Sequence, residues 1–242
     1  MIDFLGIGAQ KAGTTWLFEC LRQHPDISFP CGKEMHFWNS PAKMAAQSWT
    51  DFFPTSPCKQ GEITPAYAIL PSSVISQIHA CAPRLKLFYS LRNPIERAWS
   101  AALMALTRAE MTIDEASDAW FIDHFHSSGS RRRGDYLACL DTWLSIFPQS
   151  ALQVIVFDDI TTRPRHVLEN LARHLDVDPA FFQSLPETAL PAPAFSGPGH
   201  PLRPSLSEIL HSLYDPQIVQ LENRISRNLA HWRLKDSLPR QW

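Results

Sequence analysis

Runs of consecutive apolar residues alternate along the chain with segments in which apolar residues recur every three or four positions. Residues 4–8 form the first run, and a short loop separates them from a segment that places Trp16, Leu17, Cys20 and Leu21 at helical spacing. Two later runs are typical of buried parallel strands, residues 87–91 and residues 152–157. This alternation predicts an α/β fold, a three-layer sandwich with a central parallel sheet and a P-loop-like loop after its first strand.

Helices are predicted where the apolar positions keep a helical period and Asn or Pro marks an end. The predicted helices cover approximately residues 72–81, 136–144, 164–174 and 216–229, and another begins at Asn93 and Pro94. The acidic pair Asp158 and Asp159 is predicted to cap the helix that begins at Pro164.

Two segments depart from this alternation. Residues 107–133 mix acidic, aromatic and basic residues, and we predict an irregular, substrate-facing insertion. Residues 186–204 are rich in proline and predict a loop that closes over a bound ligand. The sequence contains no internal repeat, so we predict a single domain that covers residues 1–242.

Composition excludes several classes of protein. The 242 residues carry a formal charge of −2, which gives no basic excess for nucleic acid or an anionic membrane. No apolar run reaches the roughly 18 residues of a membrane-spanning helix, and strand-like residues at the start leave no room for a signal peptide. Five scattered cysteines without C-x-x-C spacing indicate reduced thiols. A cytoplasmic protein is therefore predicted, and no feature indicates its oligomeric state.

The loop after the first apolar run is the first candidate for chemistry. Residues 8–15 nearly match the phosphate-binding pattern of nucleotide triphosphatases, but Thr14 occupies the lysine position and Lys11 is the lysine of the loop. Such a loop directs N–H groups and the positive end of a helix dipole at a compact anion. An ordinary turn between a strand and a helix would have the same pattern, so both interpretations remain open here.

A second candidate follows the apolar run at residues 87–91. Arg92 would lie at the carboxyl end of a strand, where open α/β sheets bind ligands, and Ser100 would lie two helical turns further on. An arginine fork and a hydroxyl group suit a phosphate. A salt bridge between Arg92 and Glu96 is the alternative, and Arg97 is predicted to be structural.

Glu34 and His36 form a third candidate. In an extended segment these side chains would share one face, so a carboxylate and an imidazole would point together into a cleft. The alternative is the end of a strand at the surface, with Lys33 and Glu34 as a solvated pair. Residues 61–67 would place Glu62, Thr64 and Tyr67 against a ligand or form an ordinary turn. His124 and His126 lack further ligands nearby, so no metal site is predicted.

These motifs together resemble the sulfotransferases that use 3′-phosphoadenosine 5′-phosphosulfate (PAPS). The resemblance is closest to the branch that contains the heparan sulfate sulfotransferases and their bacterial relatives, and it covers nearly the whole chain in the same order. The motifs that carry it are Lys11-Ala12-Gly13-Thr14-Thr15, Lys33-Glu34-Met35-His36-Phe37, Gly61-Glu62-Ile63-Thr64-Pro65-Ala66-Tyr67, Arg92-Asn93-Pro94-Ile95-Glu96-Arg97-Ala98-Trp99-Ser100, Gly134-Asp135-Tyr136 and Gly199-His200-Pro201.

The resemblance implies a role for each candidate residue. The loop that binds the 5′-phosphosulfate group would consist of Lys11, Ala12, Gly13, Thr14, Thr15 and Trp16. Arg92 and Ser100 would hold the 3′-phosphate, and the loop containing Gly199 and His200 would close on the nucleotide. Glu34 would act as the base, and His36 would orient Glu34 or serve as the base itself.

The implied reaction moves a sulfuryl group from PAPS to a hydroxyl group, or less readily an amine, of a small-molecule or carbohydrate acceptor. Adenosine 3′,5′-bisphosphate (PAP) is the other product, and no metal is required. Two alternatives remain at this stage, a P-loop-type small-molecule kinase that depends on Mg²⁺ and a non-catalytic nucleotide-binding protein. The acceptor is not specified by these motifs, and Asn39 stands where the heparan branch usually has Asp.

Overall fold

A parallel sheet forms the centre of the computed structural model, which describes residues 1–191 and 200–234. The sheet of this described part contains five strands in the order β2-β3-β1-β4-β5, and every neighbouring pair is parallel. The strands are β1 Phe4–Gly8, β2 Ile27–Ser28, β3 Lys59–Ile63, β4 Lys86–Leu91 and β5 Leu152–Val156. The predicted α/β fold with a central parallel sheet is confirmed.

Helices connect and flank these strands. They are α1 Thr14–Leu21, α2 Pro41–Ala46, α3 Ser72–Cys81, α4 Pro94–Arg108, α5 Asp118–His126, α6 Ser128–Gly134, α7 Tyr136–Leu144, α8 Phe157–Thr162, α9 Pro164–His174, α10 Ala180–Ser184 and α11 Pro204–Ile225. Short 3-10 helices cover Trp49–Phe52, Pro65–Ile69, Gln149–Ala151, Glu187–Ala189 and Ala230–Arg233. Across residues 1–191 and 200–234, none of the helices combines the length and apolar character that spanning a membrane requires.

Glycines allow bulky side chains to pack against the central strands. A Cβ atom on Gly6 would lie 2.5 Å from the ring of Phe88, and one on Gly61 would lie 2.1 Å from the ring of Phe4. Real Cβ atoms do not approach other atoms so closely, so any larger residue would displace these rings. All five residues of β1 are buried, as expected for the middle strand of a covered parallel sheet.

The described residues divide into two compact units. The first comprises residues 1–91 and 141–191 and contains the whole sheet; the second comprises residues 92–140 and 200–234. Within the second unit, α4 packs against α5, α6 and α11. The fully buried Arg97 donates to the carbonyl oxygen of Ser130 at 3.2 Å and to the hydroxyl oxygen of Tyr214 at 3.4 Å, which agrees with its predicted structural role.

The prediction that residues 107–133 are irregular is wrong, because much of this segment is helical. The helix α5 begins after Ser117 and α6 begins after Ser127, and each serine side chain accepts a hydrogen bond from a backbone N–H in the first turn. These caps satisfy donors that a helix leaves unpaired, and they stabilise helices too short to show a clear apolar period.

Two further boundaries differ from the sequence prediction. The last long helix begins at Pro204 rather than Pro216, and Pro216 lies inside it. An internal proline removes one helical hydrogen bond, but burial of the face that includes Tyr214 and Ile218 outweighs this loss. Asp158 and Asp159 do not cap α9; they lie in the first turn of α8.

Candidate active site

The loop after β1 lies where the order of the strands in the sheet reverses. The strand β1 has β3 on one side and β4 on the other, and ligands of open α/β sheets bind at the carboxyl ends of strands at such a switch point. Lys11 and Gly13 both adopt left-handed backbone conformations, with φ angles of 68° and 80°. The loop is held against the end of β4, because the Ser90 hydroxyl donates to the carbonyl oxygen of Ala12.

The helix α1 presents its amino end at this loop. Gly13 is its N-cap, and among the described residues no side chain caps the helix there. The N–H groups of the first turn have no partner within a helix, so Thr14, Thr15 and Trp16 present donors toward an anion. Thr15 is exposed, whereas Thr14 is buried. The Trp16 indole donates to the carbonyl oxygen of Pro191 at 2.9 Å and fixes this turn.

Glu34 and His36 do lie together, although their segment is not extended as predicted. Both residues adopt left-handed conformations, with φ angles of 61° and 55°. His36 Nε2 lies 3.5 Å from Glu34 Oε2, and the Lys33 ammonium pairs with the other oxygen of the same carboxylate. The pairing of Lys33 with Glu34 belongs to the alternative interpretation, but it occurs here together with the contact between Glu34 and His36.

The environment of Glu34 favours its charged form. Partial burial opposes ionisation, but the hydrogen bond and charge of Lys33 outweigh it, and His36 contributes in the same direction. The pKa of Glu34 therefore lies below its ordinary value. An ionised carboxylate that is two-fifths exposed can accept a proton from a molecule that approaches from solvent.

Asn39 lies behind the imidazole of His36. Its side-chain Oδ1 and Nδ2 atoms both lie 3.2 Å from His36 Nδ1. An amide can donate to Nδ1 through its nitrogen, and the imidazole then carries its proton on Nε2, facing Glu34. In this arrangement the proton on Nε2 faces the Glu34 carboxylate. Asn39 lies beyond the motif at residues 33–37, and the fold brings its side chain to His36.

Removing Lys33 should change the pH dependence of the reaction. In Lys33→Met the charge that lowers the pKa of Glu34 is lost and the effect of partial burial remains, so this pKa rises. If Glu34 is the base, activity is lost as the pH falls through this pKa, so we expect the acid limb of kcat/KM to move to higher pH. A pH profile of both proteins measures this shift. An unchanged acid limb would show that Glu34 does not control it.

Residues 61–67 do not face a ligand in the way that one interpretation predicted. Glu62, Thr64 and Tyr67 are each at most 1% exposed. The hydroxyl groups of Thr64 and Tyr67 both donate to Glu62 Oε1 at 2.7 Å. These side chains thus form a buried hydrogen-bonded cluster at the end of β3.

Most of the aromatic residues near the acidic motif also pack inside the protein. Their rings make edge-to-face contacts with one another, and the exposed fraction of each buried side chain is 5% or less: Trp38, Trp49 and Phe53. They stabilise the fold and do not form an open surface for stacking a sugar.

Arg92 and Ser100 belong to the second unit. The guanidinium of Arg92 contacts Glu96 Oε2 through Nη2 at 2.9 Å and through Nε at 3.0 Å, so the predicted salt bridge is present. Because two nitrogen atoms of the guanidinium contact the same oxygen, this pairing also fixes the orientation of the group. The Tyr136 hydroxyl donates to the Arg92 carbonyl oxygen at 2.7 Å, and the Asn93 side chain caps α4. Ser100 is half-buried on the same helix.

Of the two residues named in the predicted closing loop, the structure describes His200. The carbonyl oxygen of His200 accepts a hydrogen bond from the Trp99 indole at 2.8 Å, within the second unit. Gly199 lies outside the described residues. Among the residues that the structure describes, no group of three or more His, Cys, Asp and Glu side chains is arranged to hold a metal ion.

Most of the chain matches the sequence model of a known family. A sequence model described as the sulfotransferase domain matches residues 2–187, and the chain belongs to this family. The resemblance seen in the motifs is thereby confirmed for the family.

Two groups of curated relatives are similar over part of their length. The chain is 30% identical over 196 residues to bifunctional heparan sulfate N-deacetylase/N-sulfotransferase 1 of Caenorhabditis briggsae. This alignment covers 72% of this chain and 22% of the relative. It is 28% identical over 173 residues to heparan sulfate glucosamine 3-O-sulfotransferase 6 of Homo sapiens. This second alignment covers 65% of this chain and 47% of the relative. The chain thus matches less than half the length of either relative.

Solved structures share the fold. A sulfotransferase from Alicyclobacillus acidocaldarius superposes with a TM-score of 0.74 at 25% identity and covers 97% of this chain and 99% of its own. A mouse sulfotransferase complexed with PAP has a TM-score of 0.51 at 16% identity, with 81% of this chain and 63% of its own covered. The second likeness concerns the fold alone.

Proposed function

We propose that this chain transfers a sulfuryl group from PAPS to a hydroxyl group of a carbohydrate or small-molecule acceptor. The observation that carries the proposal is the uncapped amino end of α1, with Lys11 in the loop before it and Thr14 where a triphosphatase has lysine. This arrangement fits one compact anionic group. Family membership and the ionised carboxylate of Glu34 support the same reaction.

Each residue of the first unit has a defined task in this proposal. PAPS supplies the sulfuryl group, and PAP is the product that remains. Lys11 and the N–H groups of Thr14, Thr15 and Trp16 stabilise negative charge that develops on the oxygen between phosphorus and sulfur. Glu34 accepts the proton of the attacking hydroxyl group, and His36 orients Glu34 through Nε2.

Arg92 and Ser100 are proposed to hold the 3′-phosphate. We expect Arg92→Ala to weaken the binding of PAP about 10- to 100-fold and to leave the binding of 5′-AMP nearly unchanged, because 5′-AMP lacks the 3′-phosphate. Calorimetric titration of both nucleotides measures this loss of discrimination. Arg131→Ala removes an exposed arginine of the same unit and serves as the control. Equal losses for both nucleotides in Arg92→Ala would contradict the assignment.

The same titrations separate the proposal from the kinase alternative. We propose that PAP binds equally well in EDTA and in Mg²⁺, because Lys11 and backbone donors suffice for its 5′-phosphate. A small-molecule kinase would instead bind ATP and require Mg²⁺. Binding of ATP that depends on Mg²⁺, without binding of PAP, would overturn the sulfotransferase proposal.

The acceptor is proposed from the relatives. Both curated relatives are named for heparan sulfate, so a hydroxyl or amino group of a glucosamine-containing oligosaccharide is the first acceptor to test. Incubation with radiolabelled PAPS and N-acetylated, N-sulfated and unsubstituted oligosaccharides would separate O-sulfation from N-sulfation. A parallel series of simple alcohols would test small-molecule acceptors. Binding of PAPS without transfer to any of these would favour the non-catalytic alternative.

A further inference from the structure

The segment that carries Glu34 and His36 is held by its backbone from the neighbouring elements. The N–H of Glu34 donates to the carbonyl oxygen of Ile63 at 3.0 Å, at the end of β3. The N–H groups of Phe37 and Trp38 both donate to the hydroxyl oxygen of Tyr67, at 2.8 Å and 3.3 Å. One buried hydroxyl group thus fixes two consecutive peptide groups directly after His36.

The segment needs such restraint. Glu34 and His36 both have left-handed backbone conformations, which residues with a Cβ atom adopt at a cost in free energy. Conformations of this kind persist where the surrounding contacts over-determine them. The hydrogen bonds from Phe37 and Trp38 to Tyr67 supply this restraint on the carboxyl side of the segment.

Glu62 determines which way the Tyr67 hydroxyl group points. The Tyr67 hydroxyl group donates a hydrogen bond to Glu62 Oε1 at 2.7 Å, so its lone pairs face the N–H groups of Phe37 and Trp38. The carboxylate of Glu62 is fixed in turn by Thr64 Oγ1 at 2.7 Å and by the Trp49 indole at 3.2 Å. An amide at this position could not accept from all three groups, because its nitrogen only donates.

The raised pKa of Tyr67 agrees with this direction of donation, whereas burial of Glu62 opposes its charged form. Burial and the neighbouring charge of Glu62 raise the pKa of Tyr67. Its hydroxyl group therefore stays protonated and can act as a hydrogen-bond donor. Burial raises the pKa of Glu62, against the opposing effect of hydrogen bonds from Thr64, Tyr67 and Trp49.

We propose that Tyr67, oriented by Glu62, is a positioning residue for sulfuryl transfer, because it fixes the backbone next to His36 and thereby the carboxylate of Glu34. The proposal rests on the proposed function, in which Glu34 accepts the proton of the acceptor. Tyr67 itself is fully buried, so its side chain is not open to an acceptor that approaches from solvent. Its effect is therefore exerted through the acidic motif.

Hydrogen exchange tests the structural part without any acceptor. In Tyr67→Phe, the N–H groups of Phe37 and Trp38 lose their acceptor, so a peptide that covers residues 33–39 should exchange at least tenfold faster. A peptide from β4 should exchange at the wild-type rate. Unchanged exchange in residues 33–39 would overturn the proposal whatever the activity. If Tyr67→Phe does not fold, Glu62→Gln applies the same test, because its amide nitrogen turns a donor toward Tyr67 or Trp49.

A double-mutant cycle tests the catalytic part, with PAP production from PAPS as the assay and acceptor or water as the nucleophile. We expect Tyr67→Phe to lower kcat about 10- to 100-fold and to change the KM for PAPS less than about twofold, because misplacement of a reacting group by about 1 Å has effects of this size. In a Glu34→Gln background the same change should cost less than about threefold. Equal losses in both backgrounds would show that Tyr67 does not act through Glu34.

Two comparisons separate this inference from simpler explanations. Tyr214→Phe removes another buried tyrosine hydroxyl group, in the second unit, and should leave kcat within about twofold of wild type. An equal loss of kcat in Tyr214→Phe would indicate general destabilisation. If Glu34→Gln keeps full activity while residues 33–39 exchange faster in Tyr67→Phe, the proposed base is wrong. If Glu34→Gln loses activity but residues 33–39 exchange at the wild-type rate in Tyr67→Phe, the proposed sulfuryl transfer stands and this inference fails.

Discussion

Glu34→Gln should lower kcat for PAP production about 10²- to 10⁴-fold, since a positioned general base usually contributes this much. Glutamine keeps the size of the side chain and an oxygen that can accept from Lys33, but an amide does not take up a proton at neutral pH. The affinity for PAP should stay within about twofold of wild type, because the nucleotide is assigned to other residues. Steady-state kinetics and calorimetric titration of the variant measure the two effects.

Matched substitutions decide between Glu34 and His36 as the base. If Glu34 accepts the proton, His36→Gln should lose less activity than Glu34→Gln, and its acid limb should move to higher pH because His36 helps to lower the pKa of Glu34. If His36 were the base, His36→Gln should lose at least as much activity as Glu34→Gln. Glu169→Gln, which removes a carboxylate on α9 that pairs with Arg173, controls for the loss of an acidic residue elsewhere.

Elements with a strong period could be predicted closely from the sequence. The predicted bounds of α3 and α9 are those of the structure, because apolar residues at helical spacing lie between clear end signals such as Pro83 and Pro164. The strand β4 was predicted within one residue, since its apolar run has no other low-energy location than the covered sheet.

The proximity of Glu34 and His36 could be predicted from the sequence, but the backbone geometry that produces it could not. Alternation along a strand brought Glu34 and His36 together in the prediction, but left-handed turns bring them together in the structure. Nothing in the identity of either residue favours that conformation. It is supported by hydrogen bonds to Ile63 and Tyr67, which are distant in sequence. Local patterns do not report such contacts, so the position of Asn39 beside His36 was also missed.

A second group of errors comes from tertiary contacts that outweigh local signals. Pro216 predicts the start of a helix, yet α11 passes through it because the residues on both sides are buried against α4 and α5. The charged composition of residues 118–134 hides two short helices for the same reason. Phe121 and Phe125 anchor α5 in the core of the second unit.

Lys11→Met is expected to lower kcat about 10²- to 10³-fold, the usual cost of removing one donor that stabilises developing charge. Methionine keeps the unbranched length of the side chain and suffers the same left-handed strain at φ 68°, so the loop should fold as before. The charge on the bridging oxygen grows only as the bond to sulfur breaks. The loss should therefore appear mainly in kcat, and the affinity for PAP should fall much less.

Lys86→Met is the matched control for this experiment. Lys86 lies at the amino end of β4, away from the carboxyl ends where the loop lies, and pairs with Asp176 across 3.8 Å. Its removal should leave kcat within about twofold of wild type. If Lys11→Met behaved like Lys86→Met, the backbone donors of α1 would have to carry the charge alone. The amino end of α1, whose first-turn N–H groups no side chain caps among the described residues, would then be the principal stabiliser of the leaving group.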